Sequence, residues 1–193
     1  MQKYDMTIGG RSVAADRYEE IRNPSTGAVV GLAPVGTMAH LEQAIDAAEK
    51  AFAHWRRSTD AEREAACNTI ARVVTENAGE LARLLSLEQG KPLKGLGAEF
   101  ELGGCGAWAG YTATLKLPVT VIEDSPAKRI EMHREPVGVV GSITPWNWPL
   151  MIAIWHIVPA IRTGNTVVIK PSPFTPLGTL RMIELIAAAL PPG

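Results

Sequence analysis

The 193-residue chain is 46% hydrophobic and 20% charged, and 19 lysines and arginines against 20 aspartates and glutamates leave a net charge of −1. That balance excludes an electrostatic footprint for nucleic acid or an anionic membrane, and the length suits one large domain or parts of two. The apolar stretch from Met151 to Ile161 is interrupted by His156 and Pro159 and is too short for a bilayer, and the N-terminus has no signal-peptide core, so a soluble, cytoplasmic protein is expected.

Residues 7–34 are short and strand-like, with turn chemistry at Gly9-Gly10 and at Asn23 to Gly27, and read as a layer of hairpins. Thr37 then caps a helix over 38–55, whose Leu41, Ile45, Ala48 and Phe52 recur at helical spacing and are expected in the core. Thr59 and Glu62 have capping-box spacing and open a helix over 60–77 that buries Ala66, Ile70, Val73 and Cys67. A third helix, 78–88, carries Leu81, Leu84 and Leu85 and stops at Gln89-Gly90-Lys91-Pro92.

Residues 98–113 are rich in alanine, glycine and aromatics. Each glycine inside a helix costs roughly 1 kcal/mol relative to alanine, so these glycines are read as close-packing positions. GGCGAWAG lacks the preceding strand and the spacing of a dinucleotide loop. Residues 117–122 and 128–134 alternate around Glu123-Asp124-Ser125-Pro126 and predict a hairpin with one apolar face. Glu99, Glu101, Glu123 and Glu131 read as solvated, and His156 reads as a satisfied core histidine.

The most informative stretch is EPVGVVGSITPWNWPLMIAIWHIVPAIRTGNTVVIK, from Glu135 to Lys170. Its β-branched runs at 137–144 and 166–170 predict parallel strands covered on both faces. Pro149 suits the first turn of an intervening helix that reaches Ile161, and Gly164-Asn165 suits its left-handed stop. A βαβ crossover brings both strands' carboxyl ends to one edge of the sheet, where open α/β folds bind ligands. Asn147 and Lys170 therefore share that edge. After Lys170 comes a loop, then a helix over 179–190 with Leu180, Ile183, Ile186 and Ala187 inward. Cys67 and Cys105 lack metal-ligand spacing, read as free thiols and give no metal site.

ITPWNWP at 143–149 followed by GNTVVIKPS at 164–172 resembles the NAD(P)-dependent aldehyde dehydrogenase superfamily. The whole chain resembles its N-terminal portion, most densely over 135–193. The resemblance implies an α/β fold: an incomplete Rossmann-type parallel sheet with flanking helices and a projecting β-hairpin. Residues 1–116 would be the first part of the cofactor-binding domain, 117–134 an oligomerisation hairpin that makes a homo-oligomer, and 135–193 the first βαβα of the Rossmann-type sheet. The implied reaction oxidises a small-molecule aldehyde to a carboxylic acid through a thiohemiacetal, with NAD or NADP as cofactor.

Within that resemblance Asn147 is the oxyanion donor, a role that needs a fixed side-chain N–H aimed where negative charge develops. The local alternative is that it only satisfies its turn. Ile143, Thr144, Pro145 and Trp146 would line the cofactor on the nicotinamide side, with Trp146 as plain core the alternative. Lys170 would meet the adenosine ribose, against the alternative of a lysine snorkelling at a strand end. Ser172 and Pro173 follow it in the same loop. Many NAD-preferring members carry glutamate where this chain has Pro173; without that charge against a 2′-phosphate the choice between NAD and NADP stays open. The Gln89 to Pro92 corner matches a family turn and is expected to carry no chemistry. The family's cysteine nucleophile and glutamate base lie in segments beyond those matched here, so the isolated 193 residues are expected to be inactive. The alternative function is a cofactor-binding or oligomerisation module.

Overall fold

The computed structural model describes residues 2–192, so the final residue of the C-terminal Leu190–Gly193 segment lies outside it. Two antiparallel hairpins come first: β1 (Met6–Ile8) with β2 (Arg11–Val13), and β3 (Tyr18–Arg22) with β4 (Val29–Pro34). Gly9 and Gly10 turn the first with φ of +58° and +76°, the left-handed pair that a tight two-residue turn needs.

Four helices follow: α1 (Met38–Trp55), α2 (Asp60–Glu76), α3 (Ala78–Gln89) and α4 (Ala98–Thr114). Both N-terminal caps form as the sequence predicts, and Thr59 and Glu62 make the full reciprocal box. Gly90 ends α3 in the left-handed conformation. Two of the α4 glycines are packing positions, since a Cβ on Gly104 would lie 2.6 Å from Met151 and one on Gly106 2.6 Å from the Thr75 hydroxyl, whereas Gly103 and Gly110 face open space and are not.

The projecting hairpin is β5 (Thr120–Ser125) with β6 (Lys128–Met132), so its turn falls at Pro126-Ala127, slightly beyond the predicted centre. A register shift between Val121 and Glu123 displaces Ile122, and apolar side chains of both strands stay exposed.

The chain closes with β7 (Val139–Ile143), α5 (Pro149–Arg162), β8 (Thr166–Lys170) and α6 (Leu177–Ala187). β7 and β8 are parallel, in register from Val139 opposite Thr166 to Ile143 opposite Lys170. Gly164 stops α5 at φ +84°, and the buried Asn165 side chain accepts from the amides of Val137 and Gly138 at 2.7 and 3.0 Å. One core, built from α2, α3, α4, α5 and α6, packs against Val167 and Ile169 on one face of this ribbon. On the opposite face the Thr166 hydroxyl donates to the Ala48 carbonyl of α1 at 3.0 Å. No described helix is long and apolar enough to cross a membrane.

Several expectations are corrected. The predicted strand 137–144 shortens to 139–143, and Val137 and Ile143 are exposed, because α1 leaves the ends of its face uncovered. Only Ala48 of the α1 stripe is buried; Leu41 and Ile45 are exposed, since a ribbon of two strands is narrower than the helix's apolar face. α6 starts at Leu177, two residues early, and turns Leu177, Met182 and Ile186 inward. His156 is exposed, its Nδ1 2.8 Å from the Ser142 hydroxyl, and is no core residue. Glu101 is fully buried and not solvated.

Candidate active-site edge

The carboxyl ends of β7 and β8 lie side by side, and the Thr144 amide donates to the Lys170 carbonyl at 3.1 Å to extend the ladder by one rung. Strand alternation places Ile143 and Lys170 together on the α1 face, and Ser142 with Ile169 on the core face. Ile143, Trp146 and Lys170 are exposed at this edge, whereas Thr144 and Ser172 are buried. Lys170 donates to the Pro171 carbonyl at 2.9 Å. The Ser172 hydroxyl accepts from the Phe174 amide at 3.3 Å and shapes the loop in which Pro173 is exposed.

The two loops are tied to each other. The Thr175 hydroxyl donates to the Trp146 carbonyl at 3.3 Å. Asn147 is exposed, and among the described residues its side-chain amide has no hydrogen-bond partner; only its carbonyl is engaged. The sequence-predicted residues are thus brought to one edge, and Asn147 keeps a free donor there.

The Gln89 to Pro92 corner packs against this edge. Gln89 Nε2 donates to the carbonyls of Trp146 and Asn147 at 2.6 and 2.8 Å. Lys91 Nζ donates to the Asn147 carbonyl at 2.9 Å, pairs with Glu101 Oε2 and lies 4.2 Å from the Trp148 ring centroid. Glu101 Oε1 accepts from the amides of Leu150 and Met151 at 2.8 and 3.0 Å. Trp148, the residue preceding α5, makes no side-chain cap, so a carboxylate from α4 satisfies the free N–H groups of that helix.

Sequence reading missed both this glutamate and Glu88, but a signal was present. Glu101 lies three residues after Ala98 and four before Cys105, and Glu88 four after Leu84, each within a buried helical stripe.

Neither cysteine of the chain is poised for nucleophilic attack. Both are fully buried, and burial pushes the Cys67 thiol up to about 11 and the Cys105 thiol higher still. A reactive thiolate needs the opposite setting, electropositive and accessible.

Three groups at the edge suit a dinucleotide. Thr144 Oγ1 is buried with no partner among the described residues, Lys170 offers a cation at the strand end, and Trp146 offers an exposed ring.

A model of the aldehyde dehydrogenase family matches residues 12–193. The fluoroacetaldehyde dehydrogenase of Streptantibioticus cattleyicolor is 36% identical, over 99% of this chain and 38% of that protein. The malonate-semialdehyde dehydrogenase of Halalkalibacterium halodurans is 35% identical, over 100% of this chain and 40% of that protein. Among solved structures, the NAD+ complex of an aldehyde dehydrogenase from Bacillus cereus superposes with a TM-score of 0.93 at 32% identity, covering 99% of this chain and 40% of that one. The chain thus spans about two-fifths of the length of the curated relatives it matches. With its βαβ edge, its PWN turn and its KPS loop, this chain belongs to the aldehyde dehydrogenase family.

Proposed function

We propose that this chain supplies the cofactor-side edge and the oxyanion donor of an NAD(P)+-dependent oxidation of an aldehyde to a carboxylic acid. The observation that carries the reading is Asn147: an exposed side-chain amide with no partner among the described residues, beyond the carboxyl end of a parallel strand, with its backbone engaged elsewhere. Attack of a thiolate on an aldehyde carbonyl turns the carbonyl oxygen into an oxyanion, and a preplaced N–H donor stabilises that charge. Here Asn147 gives the donor and Trp146 walls the same turn. The nucleophile belongs to sequence other than these residues, because Cys67 and Cys105 are buried with raised pKa values.

A bound nicotinamide dinucleotide supplies the acceptor for the two electrons leaving the aldehyde carbon. Ile143, Thr144, Pro145 and Trp146 would hold its nicotinamide side, and Lys170, Ser172 and Pro173 its ribose side. Pro173 places no carboxylate beside a ribose, so this loop gives no charge repulsion against a 2′-phosphate. Residues 1–116 and 135–193 are read as portions of one cofactor-binding domain. The 117–134 hairpin, with apolar side chains exposed on both strands, is read as a strand donor to a second copy of the chain, and the setting as cytoplasmic.

The purified 193-residue chain, given NAD+ or NADP+ and a panel of aldehydes, is expected to yield no reduced cofactor. Fused to the remaining part of the Bacillus cereus relative it is expected to turn over, with Asn147→Ala lowering kcat roughly 10²-fold to 10³-fold. Turnover by the isolated chain, or an Asn147→Ala fusion as active as its parent, would overturn the reading.

A further inference from the structure

We infer that Lys91 is a positioning residue, whose ammonium, anchored on the buried Glu101, fixes the backbone of Asn147 and so the direction of its side-chain amide. The inference rests on the reading of Asn147 as oxyanion donor and adds a device that holds it.

Asn147 stands in a short connection between β7 and α5 with no side-chain bond of its own among the described residues, so its aim depends on its backbone. Two donors reach its carbonyl, Gln89 Nε2 at 2.8 Å and Lys91 Nζ at 2.9 Å. An ammonium has three N–H groups. Those of Lys91 meet the Asn147 carbonyl, the Glu101 carboxylate and the face of Trp148, the residue after Asn147. The Lys91 side chain is only 13% exposed and Glu101 not at all, so water screens this pair little.

The other oxygen of Glu101 holds the amides of Leu150 and Met151, which locks the first turn of α5 to the same lysine. The donors turn the Trp146 and Asn147 carbonyls into the α3–α4 corner and leave the Asn147 amide outward at the edge. Accuracy matters here, since a displacement of about 1 Å in a catalytic group can cost on the order of 10²-fold in rate.

The test is nuclear magnetic resonance on the 15N-labelled 193-residue chain. Lys91→Met removes the charge and keeps most of the length, and it is expected to shift the Asn147 side-chain NH2 signals and to speed exchange of the Leu150 and Met151 amides at least 10-fold. Lys91→Arg, which keeps cation and donors, is expected to hold both near wild type. Gln89→Leu, which spares the buried pair, is expected to shift the Asn147 signals in the same direction by less. Unchanged Asn147 signals in folded Lys91→Met, or Lys91→Arg as disturbed as Lys91→Met, would overturn the inference. Should Lys91→Met fail to fold, Lys91→Gln, which also removes the charge, takes its place, and unmoved Asn147 signals there would overturn the inference. Loss of the oxyanion reading shows separately, as an Asn147→Ala fusion that keeps its turnover while these signals behave as expected.

Discussion

Two helices near the candidate edge start the same way and are stabilised differently. α5 and α6 both lack a side-chain cap of their own, and each is capped by a buried glutamate from a distant helix. Glu101 caps α5 and carries Lys91 as counter-ion; Glu88 caps α6, accepting from the amides of Leu177 and Gly178 at 2.7 and 2.8 Å, and has no cation bonded to it among the described residues. Desolvation disfavours a lone buried carboxylate, and burial pushes Glu88 up to about 8 against 4.5 for an ordinary glutamate. The nearby charge of Glu101 adds to the same direction, while the two backbone bonds oppose it. A cation is thus placed at the helix that follows the Asn147 turn and withheld from the helix behind it.

The largest effect that breaks this comparison is Glu101→Leu. It strands the Lys91 ammonium and two helix amides, and removing one partner of a buried pair costs about 3–5 kcal/mol. Urea denaturation of the variant is expected to show a loss of that order, and a loss below about 1 kcal/mol would mean the pair holds nothing.

Glu88 predicts a pH dependence of opposite character to an ordinary paired carboxylate. Its folded-state pKa lies above its unfolded value, so the folded protein binds the extra proton between about pH 4.5 and about 8. Stability is therefore fully present below that window and falls as pH rises through it, by up to about 1.4 kcal/mol per pH unit from this group. Glu88→Gln is expected to flatten the slope, and an unaltered slope would assign the titration to another group.

Smaller effects sharpen the contrast between distant caps and local ones. Thr59→Ala removes the conventional cap of α2 and is expected to cost about 1 kcal/mol in thermal denaturation. Leu41→Gln on the open stripe of α1 is expected to change stability by less than about 0.5 kcal/mol, which a buried leucine would not allow.

Local chemistry explains what was legible. β-branched runs, Pro149 and Gly164 mark β7, α5 and β8 because strand, helix start and helix stop each depend on a few adjacent residues. The placement of Asn147 and Lys170 at one edge followed from the parallel strands that a βαβ crossover joins, which needs no long-range information. Glu101 and Glu88 were misread or passed over because their partners lie 49 and 89 residues away, and a charge at a helix surface usually faces water. The corner at Gln89 and Lys91 was passed over for the same reason: its acceptors are backbone carbonyls 56 to 58 residues on. The α1 stripe failed in the other direction, since an apolar face reports a tendency to be covered and not the width of the sheet that covers it.

The edge itself is tested most directly by titrating the 15N-labelled chain with NAD+ and, separately, NADP+ while following backbone amide signals. Shift changes concentrated at Thr144, Trp146 and Asn147 and from Lys170 to Phe174 are predicted. Changes confined to the 117–134 hairpin or the N-terminal strands, or none with either dinucleotide, would contradict the assignment of this edge as the cofactor site.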